Sequence, residues 1–382
     1  MLFSFLFNSG QIPDDWRVAN IMPIFKKGSS TACSSYRPIS LTSCFCKLFE
    51  RIVKESVMDY LLKNNLISRH QHGFLSKSST CTQLLECVND WSLAISNRRL
   101  TDVIYFDFSK AFDSVSHPKL IYKLSAYGLT GRLLEIIAAF LSNRFQRVVI
   151  DNVWSPYAPL TSGVPQGSVL GPLLFLLFIN DVTDLFDGTV NVKLYADDVK
   201  IYFEIINNAS VECLQKGIND LSTWAEKWQL RFSIDKCFHL RAGLTKSAPN
   251  ATYSLHGNQL SHVNEARDLG VLVDAQLSFK SHINGIVAKA RMRAGQILRS
   301  FLSRDTETLV RAFTTYVRPL LEFCTPIWSP SLVGMIVHVE SVQRTFTKKL
   351  PYMKYLTYKD RLSVLRLESL ELRRLKADLI VF

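Results

Sequence analysis

The residues Tyr195-Ala196-Asp197-Asp198 lie between two apolar, β-branched runs at 190–194 and 199–203. This pattern predicts two strands pinched around a tip that carries adjacent carboxylates. Two carboxylates side by side repel each other unless a cation or a buried proton neutralises the pair. Hard oxygen donors of this kind suit Mg²⁺. A third carboxylate, Asp107, closes the apolar run Val103-Ile104-Tyr105-Phe106, 90 residues before Asp197. If the two segments are neighbours in one sheet, carboxylates approach a common point from two directions. Nucleotidyl transfer has that requirement, because it uses two ions about 3.5–4 Å apart, one activating a hydroxyl and the other holding a triphosphate.

The elements that must position these groups are legible from periodicity. Helical spacing runs over 43–62 (Leu48, Phe49, Ile52, Val53, Val57, Tyr60, Leu61) and again over 79–96. A buried strand at 103–106 leads into Asp107, then a turn at 109–113 and helices at 119–127 and 133–141. Strands are expected at 146–153 and 157–160. The glycine-rich stretch 163–172 opens a strongly apolar helix, with Pro172 in its first turn. It lacks the Gly-Lys-Ser/Thr ending of a Walker A loop. A helix is expected over 213–229, and strands over 230–240, 250–255 and 269–273. From Lys280 the pattern becomes helical, with Ile283, Ile286, Val287, Ala290, Ile297, Leu298 and Phe301 on one stripe and Lys289, Arg291, Arg293 and Arg299 between them. No internal repeat, low-complexity tract or flexible linker interrupts the chain.

With 382 residues, 47% of them hydrophobic, the chain can bury a large core and is globular rather than disordered. Its net charge of +12 calls for an acidic partner. Residues 276–382 hold 18 Lys and Arg against 8 Asp and Glu, so the basicity is concentrated there, as a surface gripping a nucleic-acid backbone would require. The eight cysteines show no Cys-x-x-Cys pair, and free buried thiols are expected rather than a disulfide framework or a zinc site at Cys44, Cys46, His70, His72 and Cys81. The longest apolar run, 173–179, is far short of the ~20 residues a membrane span needs, so no membrane partner is expected. The apolar N-terminus lacks a basic flank and a cleavage site, and reads as a docked helix rather than a signal peptide.

Five blocks, in this order and spacing, carry a resemblance: Lys26-Lys27, Tyr36-Arg-Pro-Ile-Ser-Leu41, Asp107-Phe-Ser-Lys-Ala-Phe-Asp113, Gly163-Val-Pro-Gln-Gly-Ser-Val-Leu-Gly-Pro172 and Tyr195-Ala-Asp-Asp198. The series resembles the reverse transcriptases of non-LTR (LINE-type) retrotransposons over nearly the whole chain. The resemblance implies an α+β right-hand polymerase, with fingers and palm over 1–274 and a basic helical thumb over 275–382. It implies an RNA-directed DNA polymerase that extends a DNA primer on an RNA template with dNTPs, using two Mg²⁺ ions, with Mn²⁺ as the alternative ion. Asp107, Asp197 and Asp198 would be the metal-binding triad, joined by the backbone carbonyl of Phe108. Phe112 would stack under the incoming sugar and reject a 2′-hydroxyl. Arg37 and Lys26 or Lys27 would meet the triphosphate, the arginine as a planar fork and the lysine as a point charge. Gln166 would touch nucleotide and template from a turn that glycine lets come close. Tyr195 would support the primer end or pack the sheet. Lys289, Arg291, Arg293 and Arg299 would grip the duplex through phosphates. Lys110 and Asp113 belong to the pattern without an assigned step.

The reading has two departures and two rivals. No endonuclease precedes Gln11, so a chain that copies RNA without nicking its own target is expected. The apolar helical pattern over 372–382 ends without a capping residue, which points to a shortened product. An RNA-dependent RNA polymerase would carry Gly-Asp-Asp and a polar partner for the 2′-hydroxyl, where this chain has Ala196 and Phe112. An inactive retroelement remnant would bind RNA or DNA and add no nucleotide. The expected residence is intracellular.

Overall fold

The computed structural model describes residues 2–186, 188–243 and 249–381. Met1 and Phe382, the ends of the expected terminal helices, lie outside them. The chain forms two compact units: Met1–Ser79, Asp102–His239 and Ala248–His262 make the first, and Thr80–Thr101, Leu240–Ser247 and Val263–Phe382 the second. The Thr80–Ser96 helix thus clusters with the C-terminal helices despite its early place in the sequence.

Strands β1 (Val18–Phe25), β2 (Tyr36–Leu41), β3 (Leu100–Phe106), β4 (Arg144–Ile150), β5 (Val153–Trp154), β6 (Ala158–Leu160), β7 (Asn191–Tyr195), β8 (Asp198–Ile205) and β9 (Phe238–Ala242) fall into two sheets. One has the order β2-β1-β4-β5, with β6 also on β4. The other has the order Ser261–Val263, β9, β3, β8, β7. Every residue of β3 is buried, which explains its unbroken apolar run: a central strand covered on both faces shows no alternation. This second sheet makes β3 and β8 neighbours, so Asp107 and the 195–198 tip emerge from adjacent strands.

Three expected strands are shorter than their sequence patterns suggest. The 146–153 run is folded on itself, because Asp151 (φ 47°) and Asn152 (φ 64°) form a tight turn that pairs Ile150 with Val153. Asp and Asn are the non-glycine residues that best tolerate such dihedrals. The 230–240 run is interrupted by the 3₁₀ turn Ile234–Lys236, and β9 starts only at Phe238. Within 250–255, only Ser254–Leu255 pairs as a strand.

The Gly171–Ile179 helix sits in the middle of the first unit's core, with every residue except Pro172 buried. Nine residues would be marginal as a helix in water. Burial of its side chains, about 1.5–3 kcal/mol for each large one, holds it. Its first amides are met by side chains: Glu50, fully buried in the Cys44–Lys63 helix, accepts from Val169 N (2.7 Å) and Leu170 N (2.9 Å), and Ser168 Oγ accepts from Gly171 N (2.9 Å).

In the second unit, the Lys280–Ser300 helix buries His282, Ile283, Val287, Ala290, Ala294 and Ile297, close to the expected stripe. Cys46, Cys87, Cys237 and Cys324 are buried free thiols, whereas Cys33 and Cys44 are exposed. Among the described residues no helix is long and apolar enough to cross a membrane.

His282 is 5% exposed, and its Nδ1 accepts the Leu272 amide (3.1 Å), which requires a neutral ring. Burial first, then Arg267 and Lys289, push its pKa down to about 4 from 6.5. Between those two values the unfolded chain binds more protons than the folded one, so stability falls as pH falls. Acidification from pH 6.5 to pH 4 is expected to cost about 3 kcal/mol through this residue alone. His282→Asn keeps an acceptor without a charge, and urea unfolding at the two pH values should show a correspondingly smaller loss for the variant.

Candidate active site

The tip of the β7–β8 hairpin consists of Ala196 and Asp197, because Tyr195 already pairs with Asp198. Ala196 takes φ 56°, a left-handed conformation that such turns normally give to glycine. What holds it there comes from far upstream. Residues 70–72 lie parallel to β7, with His72 N donating to Leu194 O (2.9 Å) and Leu194 N to His70 O (3.0 Å). Gln71, 2% exposed, then reaches the turn: its Oε1 accepts from Ala196 N (3.1 Å) and Gly73 N (2.7 Å). Gly73 is pressed so close that a Cβ there would lie 2.3 Å from Ala196 N.

The charges meet at Asp197. Its carboxyl is held above the ordinary range, chiefly by burial and next by the negative charge of Asp107, while its own backbone amide, Lys26 and Arg37 pull it down. Lys26 and Arg37, both exposed, come from β1–β2: Arg37 pairs with Ile24 in the ladder, and Lys26 N bonds to Ser35 O (2.8 Å). Lys27 is exposed in the same connection. Asp107 follows β3 and is joined by Lys236, whose Nζ lies 2.7 Å from Asp107 Oδ2. Backbone bonds from Ser109 N to Arg231 O and from Ser233 N to Asp107 O fix this strand end, and neither uses the Phe108 carbonyl.

The triad is not assembled as a ready ligand cluster: among the described residues no three His, Cys, Asp or Glu side chains are grouped so as to hold a metal ion. One physical reason is visible: Asp107 is turned to the Lys236 ammonium group. The donor chemistry nevertheless fits a hard divalent cation, since two carboxylates already interact and one is raised by the other.

Phe112 stacks on Phe175 (centroids 4.2 Å, 19°) and meets Phe74 edge-on (6.2 Å), so core packing fixes its ring. Its carbonyl accepts from Val164 N (2.8 Å), bringing the glycine-rich turn alongside. Gln166 Nε2 donates to Asp113 Oδ1 (2.8 Å), which fixes the direction of the Gln166 amide. Gly163, at φ 84°, would place a Cβ 2.6 Å from the Asp113 backbone, so only glycine fits. The turn is also tied to β2, with Ser40 N donating to Gln166 O (2.7 Å).

Lys289, Arg291, Arg293 and Arg299 are all exposed, but they do not form one stripe. At 3.6 residues per turn Lys289 and Arg293 share a face, whereas Arg291 points elsewhere and donates to Ser341 Oγ (2.8 Å). Sequence reasoning passed over Gln71, Gly73 and Lys236. The only available signal was local: a Gln-His-Gly turn for the first two, and an Asp-Lys pair inside an expected strand for the third.

The family described as reverse transcriptase (RNA-dependent DNA polymerase) matches residues 24–273. Similar proteins include the RNA-directed DNA polymerase from mobile element jockey of Drosophila melanogaster, 31% identical over 78% of this chain and 33% of the relative. Another is the probable RNA-directed DNA polymerase from transposon BS of the same organism, 30% identical over 83% of this chain and 36% of the relative. The chain thus spans about a third of the length of these relatives. Among solved structures, apo telomerase from Candida tropicalis aligns with a TM-score of 0.51 at 10% identity, covering 99% of this chain and 70% of that one. That likeness concerns the fold, an α+β right-hand polymerase. With the family match spanning most of its length, the chain belongs to the reverse transcriptase (RNA-dependent DNA polymerase) family.

Proposed function

We propose that this chain is the polymerase part of a LINE-type mobile element and extends a DNA primer on an RNA template with dNTPs. One observation carries the reading: the Asp197 carboxylate lies in the field of Asp107, Lys26 and Arg37 together. Two acids and two cations from three separate segments thus act on one another, which suits a site for a triphosphate and its metal ions.

In this reading Asp107, Asp197 and Asp198, with the Phe108 carbonyl, hold two Mg²⁺ ions, or Mn²⁺ in their place. Bound ions would acidify the primer 3′-hydroxyl and neutralise charge on the triphosphate. The chain's own groups do the rest. Arg37 forks onto phosphate oxygens and Lys26 adds a point charge, with Lys27 nearby in the same connection. Lys236 balances Asp107 until a cation takes over. Phe112, immobilised on Phe175, presents a hard wall to a 2′-hydroxyl. Gln166, oriented by Asp113, lies against the nucleotide. Gln71 is a positioning residue that keeps the Asp197 tip in its left-handed turn. The region from 275 onward serves as the thumb, with Lys289 and Arg293 on one face, Arg299 to its side and Arg291 on the opposite side of the helix, gripping the duplex in a salt-sensitive, sequence-independent way.

Three outcomes are expected. Asp197→Asn should lower dNTP incorporation on an RNA template at least about a hundredfold with either Mg²⁺ or Mn²⁺. Retained template–primer binding would separate this loss from unfolding, whereas normal extension would remove Asp197 from the chemistry. Phe112→Ala should reduce discrimination against ribonucleotides on the order of tenfold or more, read as the ratio of kcat/KM for dNTP and NTP. Gln71→Leu should lower kcat about tenfold or more and raise the Mg²⁺ concentration needed for half-maximal rate. Gln71→Glu retains an acceptor oxygen for both amides and should recover most of the rate.

A further inference from the structure

Between the Val333–Lys348 and Tyr358–Leu365 helices runs a tightly wound connection. Residues 348–359 contain Lys348, Lys349, Lys354 and Lys359 and no acidic residue. All four lysines are exposed. Leu350 and Met353 turn inward at 3% and 7% exposure, whereas Tyr352 and Tyr355 stand out at 95% and 90%. Backbone bonds Met353 N→Leu350 O (3.2 Å) and Leu356 N→Met353 O (3.3 Å) keep this alternation fixed, and Tyr352 adopts φ 62°. The Lys354 ammonium lies 5.6 Å from the Tyr355 ring centroid.

Two aromatic rings displayed to water on a loop whose other apolar residues are anchored contribute little to folding. They do suit a partner that offers flat rings and negative charge together. We propose that Tyr352 and Tyr355, framed by the four lysines, form a platform for single-stranded nucleic acid, on which unpaired bases stack while the ammonium groups meet phosphates. A duplex keeps its base faces stacked inside and offers such rings nothing. An acidic peptide would use the lysines without needing two rings. This surface is separate from the polymerase assignment, because a chain unable to add nucleotides would still bind through it.

The test is fluorescence anisotropy on the full chain. The probes are labelled oligo(U) and oligo(dT) about a dozen nucleotides long, an RNA–DNA heteroduplex, and vesicles of phosphatidylcholine with phosphatidylserine. Tyr352→Ala with Tyr355→Ala should weaken single-strand binding at least about tenfold and leave heteroduplex affinity unchanged, and the Phe pair should restore it. Replacing the four lysines by alanine should flatten the salt slope by up to about 3. A loss confined to oligo(U), or to oligo(dT), upholds the proposal and identifies the strand. Unchanged single-strand binding, an equal loss for the heteroduplex, or a loss seen only with vesicles overturns it. Because both rings are almost fully exposed, unaltered thermal melting of the variants should accompany the effect.

Discussion

The constraint on which this site depends is the burial of the Asp197 carboxyl beside a second acid: burial penalises its charged form, and the negative charge of Asp107 adds to that penalty. A chain folds with such a pair only if other parts of the structure enforce it. Here the enforcement comes from adjacent strands, β3 and β8, whose pairing in the sheet leaves the two acids little choice. Partial relief comes from cations: Lys236 at Asp107, and Lys26 and Arg37 at Asp197. The cations offset the acids one by one, so the pair is held by its neighbours rather than by its own attraction.

A second theme is that buried side-chain oxygens replace missing backbone partners at each bend that shapes the site. Gln71 serves the amides of the turn that carries Asp197, and Glu50 and Ser168 serve the start of the central helix. Buried amides without partners are expensive. Each acceptor therefore contributes both energy and a direction, and the directions set where Asp197 and Phe112 stand. The Phe112–Phe175 stack links the two themes, since the helix organised by Glu50 carries Phe175.

How much of this was readable in advance depended on sequence distance. The hairpin with Asp197 at its tip and the strand ending in Asp107 were legible because alternation and apolar runs are local signals. The helix over 44–63 and the buried stripe after Lys280 were legible for the same reason. The brace was not, because Gln71 and Ala196 are 125 residues apart and nothing in either neighbourhood announces the other. Lys236 was hidden by an apolar run that suggested continuous strand, while the chain inserts a 3₁₀ turn that swings the lysine onto Asp107. The basic residues of the thumb were visible as composition, but which of them share a face was a matter of angle. Whether three acids meet at one point is a matter of side-chain direction, which neither the spacing nor the resemblance determines; among the described residues no such cluster is assembled.

Gly73 carries a lesson for reading mutational tolerance. It has no side chain, no charge and no part in any step, yet the space beside it is filled by the peptide nitrogen of Ala196. In a saturation survey this position would behave as though it were catalytic, rejecting even the smallest substituent. The intolerance would originate in a neighbouring peptide unit being displaced, and what it would disturb is the turn next to Asp197. Sensitivity at a position thus marks where the backbone is crowded as readily as where the chemistry occurs.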